Sequence, residues 1–347
     1  MLAAKLYDRS DMRLEEIDIP GINENEVLLK VKSAAICGTD VRMYKNGYKG
    51  IGPESPRILG HELSGVVAAV GKDVQCYTEG MRVAVAPNMG CGICNACVRG
   101  DGHLCREYKA LGINIDGGFA EYVVIPEQAV RGGNIIEIDN RVSFDEAAVN
   151  EALSCVYNGF QQCNIRPGDV VLVIGAGPIG IMHAKLAKMA GAAAVIINDL
   201  SAERLEVCKQ IDSCFITVDS TTLKEYIFSI TKDEGVDVCI TACPAPAVQS
   251  LAIELMATGG RVNFFGGLPA DKQNVTLNTN LIHYKQLIVT GSTRASVSQF
   301  RKTLEFISSR ILDVKKLVTN RLPLKDICTG FDMAADARGL KNVIYID

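Results

Sequence analysis

Two sets of metal-donor side chains mark this chain of 347 residues. Cys91, Cys94, Cys97 and Cys105 lie in one short stretch, with two-residue gaps between the first three. That spacing lets a single loop fold around one ion and present four sulfurs tetrahedrally, a shell that suits Zn²⁺. Four thiolates leave no open position for water, so this ion is expected to be structural. The second set is scattered: Cys37 in Cys37-Gly-Thr39-Asp40, His61 and Glu62 in Gly60-His61-Glu62, and Glu151 in Asn150-Glu151-Ala152. Thiolate, imidazole and carboxylate together make a mixed site that can keep one position for water or substrate. Zinc in such a site acts as a Lewis acid and lowers the pKa of a bound alcohol, whose carbinol carbon can then give up hydride. Singly, each residue has an ordinary reading: a buried thiol, a core histidine, carboxylates in ion pairs. The combination is what points to chemistry.

A hydride needs an acceptor, and Gly175-Ala-Gly177-Pro178-Ile179-Gly180 supplies a place for one. The motif follows an apolar strand and opens a helix. Gly175 permits the tight turn, Gly177 lets the backbone approach a pyrophosphate, and Gly180 allows close packing of helix on strand. The helix N-terminus offers unpaired N–H groups to the phosphates. Asp199 ends the next strand, where a carboxylate accepts both adenosine ribose hydroxyls and repels a 2′-phosphate, so NAD is expected over NADP. Arg204, about one helical turn further on, is of the residue type that can instead meet a 2′-phosphate.

The elements that must position these groups fall into two kinds. The first ~145 residues read as strands and turns, with β-rich runs at 27–32 and 65–70 and frequent Gly and Pro, so an antiparallel, barrel-like β domain is expected. Helical periodicity is weak there. From Asp145 the pattern changes to apolar strands (169–174, 194–198, 236–241, 261–265) alternating with helices (145–163, 178–190, 202–210, 222–232, 246–258), which implies a doubly wound parallel sheet. A helix near 297–309 and a strand at 342–346 close the chain. The fold class is α/β, with residues 1–148 and 286–347 in the β domain and 149–285 in the cofactor domain.

Composition excludes other classes. With 36 basic and 40 acidic residues the net charge is −4, which argues against a nucleic-acid groove. No opening segment reads as a signal peptide and no apolar run reaches ~18 residues, so neither export nor a membrane span is expected. Thirteen cysteines, an odd number, fit free thiols and metal ligands in a reducing cytoplasm.

Taken together, these residues resemble the zinc-dependent medium-chain dehydrogenases, within them the polyol (sorbitol, galactitol-phosphate) and threonine dehydrogenase branch. The resemblance spans the whole chain and also rests on Asp116-Gly-Gly-Phe-Ala-Glu-Tyr122. It implies a GroES-like β-barrel domain with an inserted Rossmann domain, two Zn²⁺ per chain and NAD. It implies catalytic zinc ligands Cys37, His61 and Glu62, with Glu151 reaching zinc directly or through water. It further implies that Thr39 takes the substrate proton, that Gly266 and Gly267 turn beside the nicotinamide ribose, and that Arg294 contacts a polyol. Relatives form dimers or tetramers, so a homo-oligomer is expected. One departure stands out: where many relatives have a histidine three residues after the relay hydroxyl, this chain has Arg42, which stays protonated and cannot act as a base.

The leading expectation is oxidation of a secondary alcohol in a polyol, cyclitol or sugar alcohol to the ketone. L-threonine 3-dehydrogenation and oxidation of a polyol phosphate are the nearest alternatives. A non-catalytic dinucleotide-binding relative needs a broken zinc site, and Cys37, His61, Glu62 and Glu151 are all present.

Overall fold

The computed structural model describes residues 1–347. The chain forms two compact units, Met1–Ser154 with Arg294–Asp347, and Cys155–Thr293. The divisions fall later in the chain than 148 and 285. The helix Phe144–Cys163 carries the first division. The strand Ile288–Gly291 still pairs with the parallel sheet, which carries the second unit past residue 285.

In the first unit the strand Val27–Ala35 is the organising element. It pairs antiparallel with Glu62–Val70, Tyr122–Ile125 and Lys341–Tyr345. The run of Val, Leu and Ala explains its burial on both faces. The tail departs from a purely antiparallel pattern, because Val318–Pro323 lies parallel to Lys341–Tyr345. Parallel neighbours need a crossover, and the helix Ile327–Ala335 provides it. Phe331 of that helix meets Phe119 edge-on, with ring centroids 5.7 Å apart and both side chains fully buried. Removing either ring would cost about 3–5 kcal/mol.

Weak periodicity hid the nine-residue helix Gly38–Asn46. Its start is set by a capping box: the Asp40 carboxylate accepts the Cys37 N–H at 2.9 Å.

The second unit is a six-stranded parallel sheet in the order Ile216–Asp219, Ala194–Asp199, Val170–Ile174, Val236–Thr241, Met256–Phe264, Ile288–Gly291. The order reverses beside Val170–Ile174, and ligands bind open α/β sheets at the strand ends of such a switch point. One expected helix is shorter than its pattern. It runs Pro246–Glu254, not to 258, because the chain turns into a strand at Met256, which pairs with Val236. Gly259 at φ +74° and the adjoining Gly260 accommodate the register shift in that strand.

Candidate active site and structural metal loop

The first unit brings Cys37, His61 and Glu62 together, with a ligand atom from each within 4.8 Å of the others. Cys37 leaves the end of the strand Val27–Ala35 and caps the helix Gly38–Asn46. His61 and Glu62 follow Gly60, which sits at φ +93° with a Cβ position only 3.0 Å from the Phe119 ring. A side chain at 60 would be strained on both counts. The Asp116–Phe119 motif holds this turn by backbone bonds: Gly117 N donates to Ile58 O at 2.8 Å, Gly118 N to Gly60 O at 2.8 Å, and Phe119 N to Leu59 O at 3.1 Å. The motif carried in the sequence is therefore scaffolding for His61.

Asp40 turns one carboxylate oxygen to Cys37 N and the other to His61 Nδ1 at 3.2 Å. Asp40 is fully buried. Such a carboxylate orients a ligating imidazole and raises its basicity. Burial opposes a charge on the ring, yet Asp40 and then Cys37 outweigh it and hold the His61 pKa well above the ordinary 6.5. A buried pocket that draws positive charge this strongly is chemically matched to a bound cation. The donor set, one sulfur, one imidazole and one carboxylate, fits Zn²⁺ with a position left open.

Lys341 was not visible in the motif pattern. Its Nζ donates to both carboxylate oxygens of Glu62, and both residues are buried. Burial opposes the lysine charge, but Glu62 foremost, then Cys37 and Glu151, raise its pKa. Glu151, 6% exposed, lies outside the close three-residue group, yet within electrostatic reach of the same lysine. Thr39 stands on the first turn after Cys37, and its Oγ1 accepts a hydrogen bond from Arg42 Nη2 at 3.0 Å.

The four remaining ligands form a separate loop in the same unit. Their sulfurs all lie within 4.8 Å of one another, with Cys94 to Cys97 at 3.6 Å and Cys94 to Cys105 at 3.7 Å. Tetrahedral zinc with Zn–S near 2.3 Å requires sulfurs about 3.8 Å apart, so the loop is already shaped for the ion. The N–H groups of Cys91 and Glu107 each point at Cys105 Sγ at 3.3 Å. A backbone N–H from Cys97 is the main reason the Cys94 pKa falls to about 6, whereas burial pushes Cys97 up to about 12. Gly90 has no room for a side chain: a Cβ there would strike Cys97 Sγ.

The structure places Arg294 against this loop. Its guanidinium lies 3.8 Å from the Tyr108 ring centroid and Nη1 donates to His103 O at 3.0 Å. Tyr108 in turn donates to Asn88 at 2.7 Å, and Asn88 Nδ2 donates to Ala295 O at 3.0 Å. Arg294 and His103 lie 191 residues apart in sequence, and no local pattern reveals the contact.

The second unit carries the glycine turn. Gly175 has φ +119°, and a Cβ there would lie 3.0 Å from Ala242 O. A Cβ on Gly180 would collide with Gly175 O, whereas the Cβ position of Gly177 is open, with Arg204 Nη1 at 3.7 Å. Pro178 and Ile179 begin the helix Pro178–Met189. Asp199 ties the turn to its strand: Oδ2 accepts Ala176 N at 2.7 Å and Oδ1 accepts Ser201 N at 2.9 Å. A carboxylate has about four acceptor positions, so these two bonds leave capacity for further donors. Gly266 N donates to Thr241 O at 2.8 Å, and a Cβ at 266 would strike the Cys243 backbone; Gly267 is open.

A mixed metal site in one unit and a phosphate-binding turn in the other define a metal-dependent dehydrogenase. Residues 23–132 match the alcohol dehydrogenase GroES-like domain and residues 178–309 the zinc-binding dehydrogenase family. Sorbitol dehydrogenase of Bacillus subtilis (strain 168) is 33% identical over 350 residues, covering 99% of this chain and 97% of the relative. L-threonine 3-dehydrogenase of Bacillus velezensis is 35% identical over 323 residues, covering 92% and 91%. A solved zinc-binding dehydrogenase from Sinorhizobium meliloti 1021, bound to NADP, superposes with a TM-score of 0.89 at 27% identity, covering 99% and 98%. The chain belongs to the zinc-dependent medium-chain dehydrogenases, in the branch of polyol and threonine dehydrogenases. No helix is long and apolar enough to cross a membrane.

Proposed function

We propose that this protein oxidises a secondary alcohol of a polyol, cyclitol or sugar alcohol to the ketone, with NAD as hydride acceptor. The observation that carries the reading is the close group of half-buried Cys37 with buried His61 and Glu62, held by Asp40 and Lys341. When bound, zinc supplies Lewis acidity and NAD⁺ supplies the acceptor carbon. The chain's own residues do the rest. Cys37, His61 and Glu62 hold the metal, with Glu151 as a second carboxylate that reaches it directly or through water. Asp40 fixes the His61 ring. Thr39 offers a hydroxyl to the reacting oxygen. The N–H groups after Gly175 and Gly177 bind the pyrophosphate, Asp199 accepts the ribose hydroxyls, and Gly266 and Gly267 make room for the nicotinamide ribose.

A substrate rich in hydroxyls suits a site whose side chains include Thr39 and Glu151, which can exchange hydrogen bonds with further hydroxyls. Arg294, which resemblance offers as a polyol contact, already braces the four-cysteine loop through Tyr108 and His103. L-threonine 3-dehydrogenation has equal support from the relatives, since it uses the same apparatus on an amino-acid alcohol. A screen of NAD reduction with D-sorbitol, galactitol, myo-inositol, a polyol phosphate and L-threonine, followed by absorbance of the reduced cofactor, separates these. Turnover of a polyol supports the reading; turnover of L-threonine alone replaces the substrate; no turnover by zinc-loaded protein overturns it.

A further inference from the structure

We propose that Arg42 is a positioning residue that polarises the Thr39 hydroxyl, making it a stronger hydrogen-bond donor to the substrate oxygen. The proposal rests on the function above, which puts Thr39 at the reacting oxygen.

A hydroxyl has one hydrogen and two acceptor lone pairs. Here Arg42 Nη2 donates to Thr39 Oγ1 at 3.0 Å, and a guanidinium accepts nothing. Asp40 is the one acid on the helix Gly38–Asn46, and it is buried with its oxygens turned to Cys37 N and His61 Nδ1. Of the other titratable groups against this helix, His61 faces Asp40, Arg9 lies at the cap residue Gly47, and Cys328, Asp332 and Asp11 gather around Tyr44. A fixed cation on the hydroxyl oxygen makes that oxygen a poorer proton acceptor and its O–H a stronger donor. A donor aimed where negative charge develops favours the transition state.

The test uses dimethyl sulfoxide, which accepts hydrogen bonds, donates none and loses no proton. Its dissociation constant is measured on zinc-loaded protein with NADH. Thr39→Val and Arg42→Leu should each weaken binding by about tenfold or more, and the double variant should be no worse than either. Arg42→Lys, which keeps a cationic donor, should recover part of the loss. Wild-type affinity in Arg42→Leu, with loss in Thr39→Val, overturns the proposal. Unchanged affinity in Thr39→Val removes Thr39 from the reacting oxygen, and so overturns that assignment along with this one. Arg42→His should add an inflection near the ordinary imidazole pKa, about 6.5, to the kcat/KM profile for whichever alcohol is turned over. A profile that superimposes on wild type counts against it.

Discussion

Lys341 Nζ donates to both carboxylate oxygens of Glu62, although the two residues are 279 apart in sequence and both are buried. Glu62 opens the strand Glu62–Val70 and Lys341 opens the strand Lys341–Tyr345, and the strand Val27–Ala35 pairs with both. The sheet therefore sets this pair, and the pair sets the direction of a metal-site carboxylate. Removing one partner of a buried pair leaves an uncompensated charge, which costs about 3–5 kcal/mol. Lys341→Met should lower unfolding stability by that order in denaturant melts of the zinc-free protein, where no ion compensates Glu62. Adding Glu62→Leu should recover much of it. A single variant as stable as wild type would show that the pair contributes nothing to the fold.

The metal ligands and the cofactor turn lie in different units, so their losses should separate. Cys37→Ser or His61→Ala should abolish hydride transfer and leave NAD binding, read by quenching or calorimetry, largely intact. Joint loss of both would mean that the ligands also maintain the cofactor unit.

His183 sets a pH dependence. It is fully buried on the helix Pro178–Met189, both ring nitrogens lack a hydrogen-bond partner, and Phe265 meets it edge-on with centroids 4.7 Å apart. Burial pushes its pKa down to about 3 from 6.5. Below 6.5 the unfolded chain takes up a proton that the folded chain refuses, so stability is lost as pH falls from 6.5 toward 3. The slope is about 1.4 kcal/mol per pH unit. His183→Leu should remove that increment, so wild type minus variant stability declines across this window and is flat above it. Parallel stability curves at pH 7 and pH 5 would contradict the burial of a neutral ring.

Elemental analysis should find two zinc ions per chain in wild type and one in Cys94→Ser. Because the four-cysteine loop is a closed shell, that variant should melt at lower temperature yet keep turnover when assayed cold. Arg294→Ala should mimic part of the thermal loss without losing zinc, since it removes the brace on Tyr108 and His103 but no thiolate. Turnover lost with full thermal stability would reverse the roles of the two metal sites.

What could be read in advance follows the range of the interactions. The four-cysteine spacing, the glycine turn and the buried parallel strands are local patterns, encoded within a few residues, and each forms as its spacing implies. Lys341 with Glu62, Arg294 with Tyr108 and the strand order depend on long-range pairing that leaves no periodic trace. Asp40 is intermediate: its place three residues after Cys37 is a capping-box position, and its turn toward His61 needs the sheet. The helix expected to reach 258 fails for a related reason. Its apolar pattern continues into Met256, and backbone pairing with Val236 converts that stretch to strand.

Asp199 has one observed job and one proposed, and substitutions can part them. Its oxygens hold Ala176 N and Ser201 N, so it shapes the glycine turn, and the proposed function adds acceptance of the ribose hydroxyls. Asp199→Ala removes both backbone bonds and the charge, and should weaken binding of NAD and NADP together while loosening the turn. Asp199→Asn keeps one acceptor oxygen and removes the charge that repels a 2′-phosphate. It should lower the NAD-to-NADP affinity ratio by about tenfold, or about 1.4 kcal/mol, at a smaller cost in thermal stability than the alanine variant. Arg204, whose Nη1 lies 3.7 Å from the Cβ position of Gly177, is placed to meet phosphate once that carboxylate is neutral. Adding Arg204→Ala to Asp199→Asn should therefore remove the gain for NADP. An unchanged ratio in Asp199→Asn, measured by titrating both cofactors against the same zinc-loaded protein, would leave Asp199 as a brace for the turn and not the residue that selects the cofactor.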